Sequence, residues 1–352
     1  MAISESPRKQ DLGHDLGHEL GIDWPPMGGR RTNLALFALL AAAFATGWIS
    51  FSLVSTPARV TLVVHALAGV GIALLLPWKT ALSSRALQRR RPIWWASIVF
   101  GILLFASLVG GFLHSFGRPY LGLGIDLTAM EVHVGAAIAL VPFAAWHTWA
   151  RWVRPRPTDL VRRNVLRAGA LLGAGGIGYV LLPSAARAAT GSYELGSRQP
   201  QLLPSTQWMF DSVPGISLSE WQLHAAGRTW SYDELAVFAD ELTATIDCTG
   251  GWYSEQDWQG ARVDRLLERT RTSGVESFVV RSRTGYSRRF PIADAARMLL
   301  ATRVGGNQLD AAHGFPARLV VPGRRGFEWV KWVDRIELDE LPAWWQSPFP
   351  LQ

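Results

Sequence analysis

Five apolar runs, each about as long as a hydrocarbon core is thick, dominate the first half of this 352-residue chain. They fall at roughly 34–54, 60–78, 93–114, 127–149 and 165–186. A segment that crosses lipid must satisfy its backbone polar groups internally, so each run is expected to be a helix. The loops between the runs differ sharply in charge. Arg30 and Arg31 precede the first run, Lys79, Arg85, Arg89, Arg90 and Arg91 follow the second, and Arg151, Arg154, Arg156, Arg162, Arg163 and Arg167 follow the fourth. The two alternate loops carry only Arg59 and Arg118. The positive-inside bias therefore predicts a multi-pass protein of a bacterial cytoplasmic membrane with a cytoplasmic N-terminus, and five crossings place residues 190–352 outside.

The organisation that follows is a cytoplasmic tail over 1–33, a four-helix membrane domain over 34–160, a fifth span within 161–189 and an extracytoplasmic domain over 190–352. The fifth run is short, rich in glycine and alanine, and preceded by Val161-Arg-Arg-Asn-Val-Leu-Arg167. That pattern resembles a twin-arginine export signal inside the chain, and implies the twin-arginine machinery as a partner. The other reading is a weakly hydrophobic helix with ordinary inner-face arginines. Ala186-Arg-Ala188 is a faint cleavage pattern, and no cleavage is expected because it would part the two halves. The net charge of +7 lies largely in the clusters flanking apolar runs, and no basic, aromatic-interleaved motif appears, so nucleic acid is not an expected partner.

Ionisable side chains at membrane depth are costly and usually functional. Here they are His65, His114, His133 and His147. The second and fourth runs align without gaps: Val64-His65 on Val132-His133, Ala68 on Ala136, Trp78 on Trp146, Thr80 on Thr148. This weak internal repeat sets His65 and His133 at one depth on neighbouring helices, which suits the two axial positions of a haem b iron. His147 lies fourteen residues past His133, ~21 Å along a helix and nearly on the same face. The repeat puts Lys79 where a second inner pair would need a histidine. One haem is therefore expected. Three roles stay open for His114: an alternative ligand, a partner for a haem propionate, or a quinone contact. His14 and His18 sit in a polar tail and are expected to be solvated.

The second half holds the chain's single cysteine, Cys248, within Thr245-Ile-Asp-Cys-Thr-Gly-Gly-Trp252. An unpaired thiol in an exported domain is a liability unless something occupies it. A soft thiolate suits a soft or high-valent metal. Downstream come His313-Gly-Phe-Pro-Ala-Arg-Leu-Val-Val-Pro-Gly323 and Trp329-Val-Lys-Trp332. A thiolate followed by cationic side chains points to a cofactor with a metal at one end and an anion at the other. Short strands are predicted near Trp221–Ala225, Thr243–Asp247, Ser277–Arg281 and Ala317–Val321. Helix starts are predicted at Ser231, with Glu234 completing a capping box, and at Val263.

Taken in order, Trp221-x-Leu-x-x-x-Gly227, Ser231-Tyr-Asp-Glu-Leu235, the cysteine segment, Trp258-x-Gly-x-x-Val-x-x-Leu-Leu267, the His313 segment and Val330-Lys-Trp332 resemble the sulfite oxidase family of molybdopterin enzymes. The resemblance spans roughly 205–340. It implies a mixed α+β molybdopterin domain after an all-α transmembrane bundle. It also implies that Cys248 is the protein thiolate on molybdenum, and that His313, Arg318 and Lys331 clamp the pterin and its phosphate. Planar guanidinium forks and lysine point charges are what phosphate recognition needs. Trp252 and Tyr253 are candidates for a substrate pocket, with core packing as the plainer role.

Two departures bear on substrate. Leu202–Gly215 contains neither the arginine nor the asparagine that sulfite-oxidising relatives supply there, with Arg198 the nearest arginine. The second is that no C-terminal dimerisation domain is expected after Gln352. The expectation is thus a membrane-anchored molybdenum oxidoreductase of unspecified substrate. It would work by oxygen-atom transfer and exchange electrons with quinone, or another redox partner, through haem b. Two other classes remain: a non-catalytic redox relay, and a metal-free membrane-tethered binding module of the same fold.

Overall fold

The computed structural model describes residues 29–52, 54, 56–87, 94–117, 127–150, 156, 162–181, 187–206, 212–267 and 274–347. The tail histidines His14 and His18, Ala186 of the cleavage pattern and Arg118 lie outside them. The first half is five helices: α1 (Gly29–Ser52), α2 (Thr56–Leu87), α3 (Trp94–Ser115), α4 (Ala129–Ala150) and α5 (Arg162–Val180). Four of them, α1 to α4, are long and apolar enough to cross a membrane. The expected fifth span is helical, but α5 has 19 residues and falls outside those four. Its run of Gly173, Gly175, Gly176 and Gly178 thins the apolar surface that a spanning helix presents to lipid.

The helices form two hairpins, α1 with α2 and α3 with α4, each closely packed, while α2 and α3 touch only sparsely. The buried apolar core between them is correspondingly thin: Ile72, Leu104 and Leu140. Large side chains point outward instead, with Ile102 61%, Phe105 65% and Trp149 86% exposed. Such apolar surface needs a covering that water does not provide.

The second half is built on two mixed sheets. One contains β1 (Tyr193–Glu194), β4 (Asp240–Asp247), β5 (Trp252–Arg262), β8 (Leu299–Val304), β9 (Asn307–Gln308) and β10 (Arg318–Val320), and its spine runs β1-β5-β8-β10. The other runs β3 (Arg228–Ser231), β2 (Gln222–Ala225), β11 (Val333–Asp339), β6 (Ser277–Ser282), β7 (Ser287–Pro291). A single apolar core lies within this half, with Trp258, Trp329, Phe278 and Phe290 among its fully buried side chains. Two short helices, α6 (Tyr232–Ala236) and α7 (Val263–Leu267), join the strands. The predicted cap forms at α6: Ser231 Oγ accepts from the Glu234 amide at 3.3 Å, and Glu234 Oε2 accepts from the Ser231 amide at 2.8 Å.

Candidate cofactor sites

Cys248 sits in the turn that joins β4 to β5. The ladder ends at Asp247 opposite Tyr253, and the chain then reverses over four residues. The Cys248 amide donates to Trp252 O at 2.8 Å, and the Gly251 amide donates back to Cys248 O at 3.0 Å. Gly251 adopts φ +88°, a conformation glycine reaches without penalty. The Gly250 amide points at Cys248 Sγ from 3.4 Å. The half-buried thiol is thus held by the backbone with its sulfur on the inside of the turn.

Beneath the turn is a network that sequence reading missed. Arg325, only 5% exposed, pairs with Asp247 and donates to Cys248 O at 3.3 Å. Asp247 also accepts from Thr190 and Ser192 hydroxyls, each at 2.7 Å. Arg325 Nε reaches the helical half, donating to Phe51 O at 3.1 Å, while Phe51 stacks on Phe327. Removing one partner of a buried ion pair leaves the other uncompensated. Arg325→Ala is therefore expected to destabilise the protein by about 3 kcal/mol, read as a lower thermal unfolding midpoint of the detergent-solubilised chain. An unchanged midpoint would remove this network from the account. No motif marked Arg325; only its proximity to the cysteine turn reveals it.

The cationic residues gather around Gly314. Its φ is +108°, and an added Cβ would lie 3.0 Å from Arg318 Cβ and 3.1 Å from Lys331 Cβ, so glycine is what lets the two segments converge. Lys331 Nζ donates to Ala312 O at 2.8 Å and Thr206 O at 3.4 Å. Arg318 is 3% exposed, lies 5.3 Å from the Trp258 ring, donates to His313 O through Nη1 at 3.1 Å, and leaves its buried Nε without a partner. His313 is engaged on both nitrogens: Nδ1 with Asp310 Oδ2 at 2.7 Å, and Nε2 with Leu203 O at 2.9 Å. It therefore anchors the Leu203–Thr206 segment. Thr206 in turn links the groups, accepting from Trp252 Nε1 at 2.8 Å and lining the Gly250 side of the cysteine turn. Thr206 carried no signal in the sequence.

These residues fit a molybdopterin-type group. Among the described residues no cluster of three or more histidine, cysteine or acidic side chains could hold a metal, and Cys248 offers a single soft donor. A buried guanidinium with an orphaned donor calls for an anion. Cys248 and Arg318 are close enough to feel each other's charge. Trp252 and Tyr253 do not wall one pocket together. As neighbours on β5 they face opposite sides of the sheet, and Trp252 is buried in the core.

Residues 211–345 match the family described as "Oxidoreductase molybdopterin binding domain". This segment is similar to molybdopterin-binding oxidoreductase domains of the sulfite oxidase type. Mitochondrial sulfite oxidase of Rattus norvegicus is 30% identical over 175 residues, covering 38% of this chain and 32% of that protein. The catalytic subunit MsrP of the protein-methionine-sulfoxide reductase of Xanthomonas campestris is 28% identical over 160 residues, covering 37% of this chain and 49% of that protein. The chain thus spans about a third to a half of the length of these relatives. The solved structure of the sulfane dehydrogenase SoxCD from Paracoccus pantotrophus matches at 23% identity and a TM-score of 0.35, over 37% of this chain and 40% of that one.

In the helical half, His65 and His133 meet in a T-shaped contact, with ring centroids 5.6 Å apart and planes at 83°. Each Nδ1 lies 2.7 Å from a backbone carbonyl, Ala43 O for His65 and Ser107 O for His133. A carbonyl only accepts, so Nδ1 carries the proton and Nε2 keeps a lone pair. Histidines that bind metal typically have their other nitrogen held in this way. Two imidazoles on different hairpins, each with Nε2 left as a lone-pair donor, are a donor set that fits a haem iron. His147 stacks instead on Phe100 at 5.3 Å, and Lys79 donates to Asn33 at 2.8 Å. His114 stands apart from the pair, at the C-terminal end of α3 against Gly251.

Proposed function

We propose that this protein is a membrane-anchored molybdenum-cofactor oxidoreductase. It performs two-electron oxygen-atom transfer outside the cytoplasmic membrane and exchanges electrons singly with quinone through one haem b. The observation that carries this is the pairing of the Cys248 turn with the buried, unsatisfied Arg318 guanidinium. Cys248 is the protein ligand to molybdenum. Arg318 and Lys331 take the phosphate end, and His313 holds the Leu203–Thr206 segment that separates the two ends. When bound, the cofactor supplies oxygen-atom transfer with a two-electron change at the metal. The protein's part is to fix the thiolate, neutralise the anion and keep the site dry with Trp252, Trp258 and Trp329.

Sulfoxides and N-oxides are the first substrates to assay. Reduction of a sulfoxide consumes two electrons and two protons and yields a thioether and water. The absence of an arginine over Leu202–Gly215 argues against sulfite. It equally suits a redox relay, which would show molybdenum and haem but no turnover. Arg162 and Arg163 at the start of α5 are the twin-arginine export signal, which suits a domain that crosses the membrane folded with its cofactor.

His65 and His133 would hold the haem iron through Nε2. Metal analysis and a redox difference spectrum of membranes test the whole assignment. Molybdenum and a Soret band are expected together. His65→Ala and His133→Ala are each expected to abolish the Soret band while molybdenum is retained. Native membranes with molybdenum but no haem spectrum would discard the electron route and leave the oxidoreductase domain standing.

A further inference from the structure

The two halves meet at the cysteine turn. The C-terminal end of α1 is tied to Arg325, Arg59 near the start of α2 donates to Arg187 O at 2.8 Å, and the C-terminal end of α3 is capped by Arg187 Nη1 donating to His114 O at 2.9 Å. His114 lies at the centre of this contact. It is 6% exposed, and neither ring nitrogen has a hydrogen-bond partner of normal geometry, the Gly191 backbone being the polar group nearest in effect. Its ring presses on the turn: a Cβ on Gly251 would come within 2.3 Å of His114 Cε1. The Tyr193 ring flanks it at 5.8 Å, and the Tyr193 amide donates to Gly251 O at 3.1 Å.

On the same helix, His114 follows the residues that pack against His133. Gly110 and Gly111, one turn earlier on α3, abut His133 so closely that a Cβ on Gly111 would sit 3.0 Å from His133 Nδ1. His114 is thus about one helical turn along α3 from the glycines beside a residue that would hold the haem. A buried imidazole with two idle nitrogens is costly unless something pairs with it. Haem b carries two carboxylates on one edge, and a hydrogen-bond donor next to the Arg187 guanidinium suits that chemistry.

We propose that His114 is the positioning residue joining the two cofactor sites. A ring N–H would donate to a haem carboxylate while the Cε1 side of the ring packs on the Cys248–Gly251 turn, so that His114 would hold the two sites in register for single-electron transfer. This rests on the haem assignment above. The test uses the full-length, cofactor-loaded protein in detergent, with His114→Gln and His114→Phe compared with the native chain. Haem and molybdenum contents, haem midpoint potential, and the rate of haem reoxidation by the molybdenum centre after laser-flash reduction are measured. His114→Phe is expected to keep both cofactors, lower the haem potential and slow the transfer by about tenfold or more. His114→Gln, which restores a donor, is expected to stay near the native rate. A role in packing alone predicts the reverse order of the two variants. If His114→Phe does not accumulate, His114→Leu serves in its place. Native potential and native transfer rate in the donor-less variant overturn the proposal, whereas a native protein without a Soret band overturns the haem assignment itself.

Discussion

A Cys248→Ser variant is expected to lose molybdenum and turnover together, by at least about a hundredfold in activity. Serine keeps the shape of the turn, because the hydrogen bonds that close it run through the backbone of Cys248, Gly251 and Trp252. What it loses is the soft thiolate, the one thiol donor among the described residues of the site. The variant should therefore fold with near-native stability yet bind no molybdenum. Elemental analysis alongside a thermal melt distinguishes this from a folding defect. Full molybdenum content with full turnover in the serine variant would end the assignment of Cys248 as ligand.

The second large effect concerns Arg318. Burial pulls its guanidinium down to about 10, against the opposing pull of the Cys248 and Asp310 charges. The unfolded chain holds that proton more tightly. The cofactor-free protein therefore carries the whole penalty below pH about 10, and recovers stability only as the pH rises from there toward the free guanidinium value. The shift corresponds to roughly 3 kcal/mol. A phosphate at Nε compensates the charge with the planar fork that arginine alone provides. Arg318→Met should thus stabilise the cofactor-free protein by about 1–3 kcal/mol while abolishing pterin retention and activity. Arg318→Lys should not restore either function, since a point charge cannot fill the fork. Pterin content after denaturation, set beside the melting midpoint of the cofactor-free protein, measures both arms. A methionine variant that retains its pterin would break the link between this buried charge and the cofactor.

Much of this molecule is legible from residue order. The apolar runs specify α1 to α4, each long and apolar enough to cross a membrane, and the Ser231 box forms as written. The repeat of His65 on His133 is readable too, but its other half is not. Ala43 and Ser107, which accept from the two histidines, and Gly47 and Gly111, which make room for their rings, keep the same spacing on α1 and α3. Carbonyl acceptors leave no trace in side-chain identity, so the second copy of this arrangement emerges only in three dimensions. The cysteine motif likewise hides its support. Thr206 and Arg325 are distant in sequence from Cys248 and belong to no recognisable run, yet they hold the turn from two sides.

Sequence alone determined the residue types that chemistry requires: a lone soft sulfur, cations for an anion, paired imidazoles at equal depth, and enough continuous apolar length to bury them in lipid. Those are local properties, carried by composition and spacing. Tertiary structure decided which of them meet. It turned His313 inward as an anchor, parted Trp252 from Tyr253 across a pleat, and set His114 between the paired histidines and the cysteine turn. Contacts of that kind join residues far apart along the chain, and their energies depend on burial and orientation, which no single stretch of sequence contains.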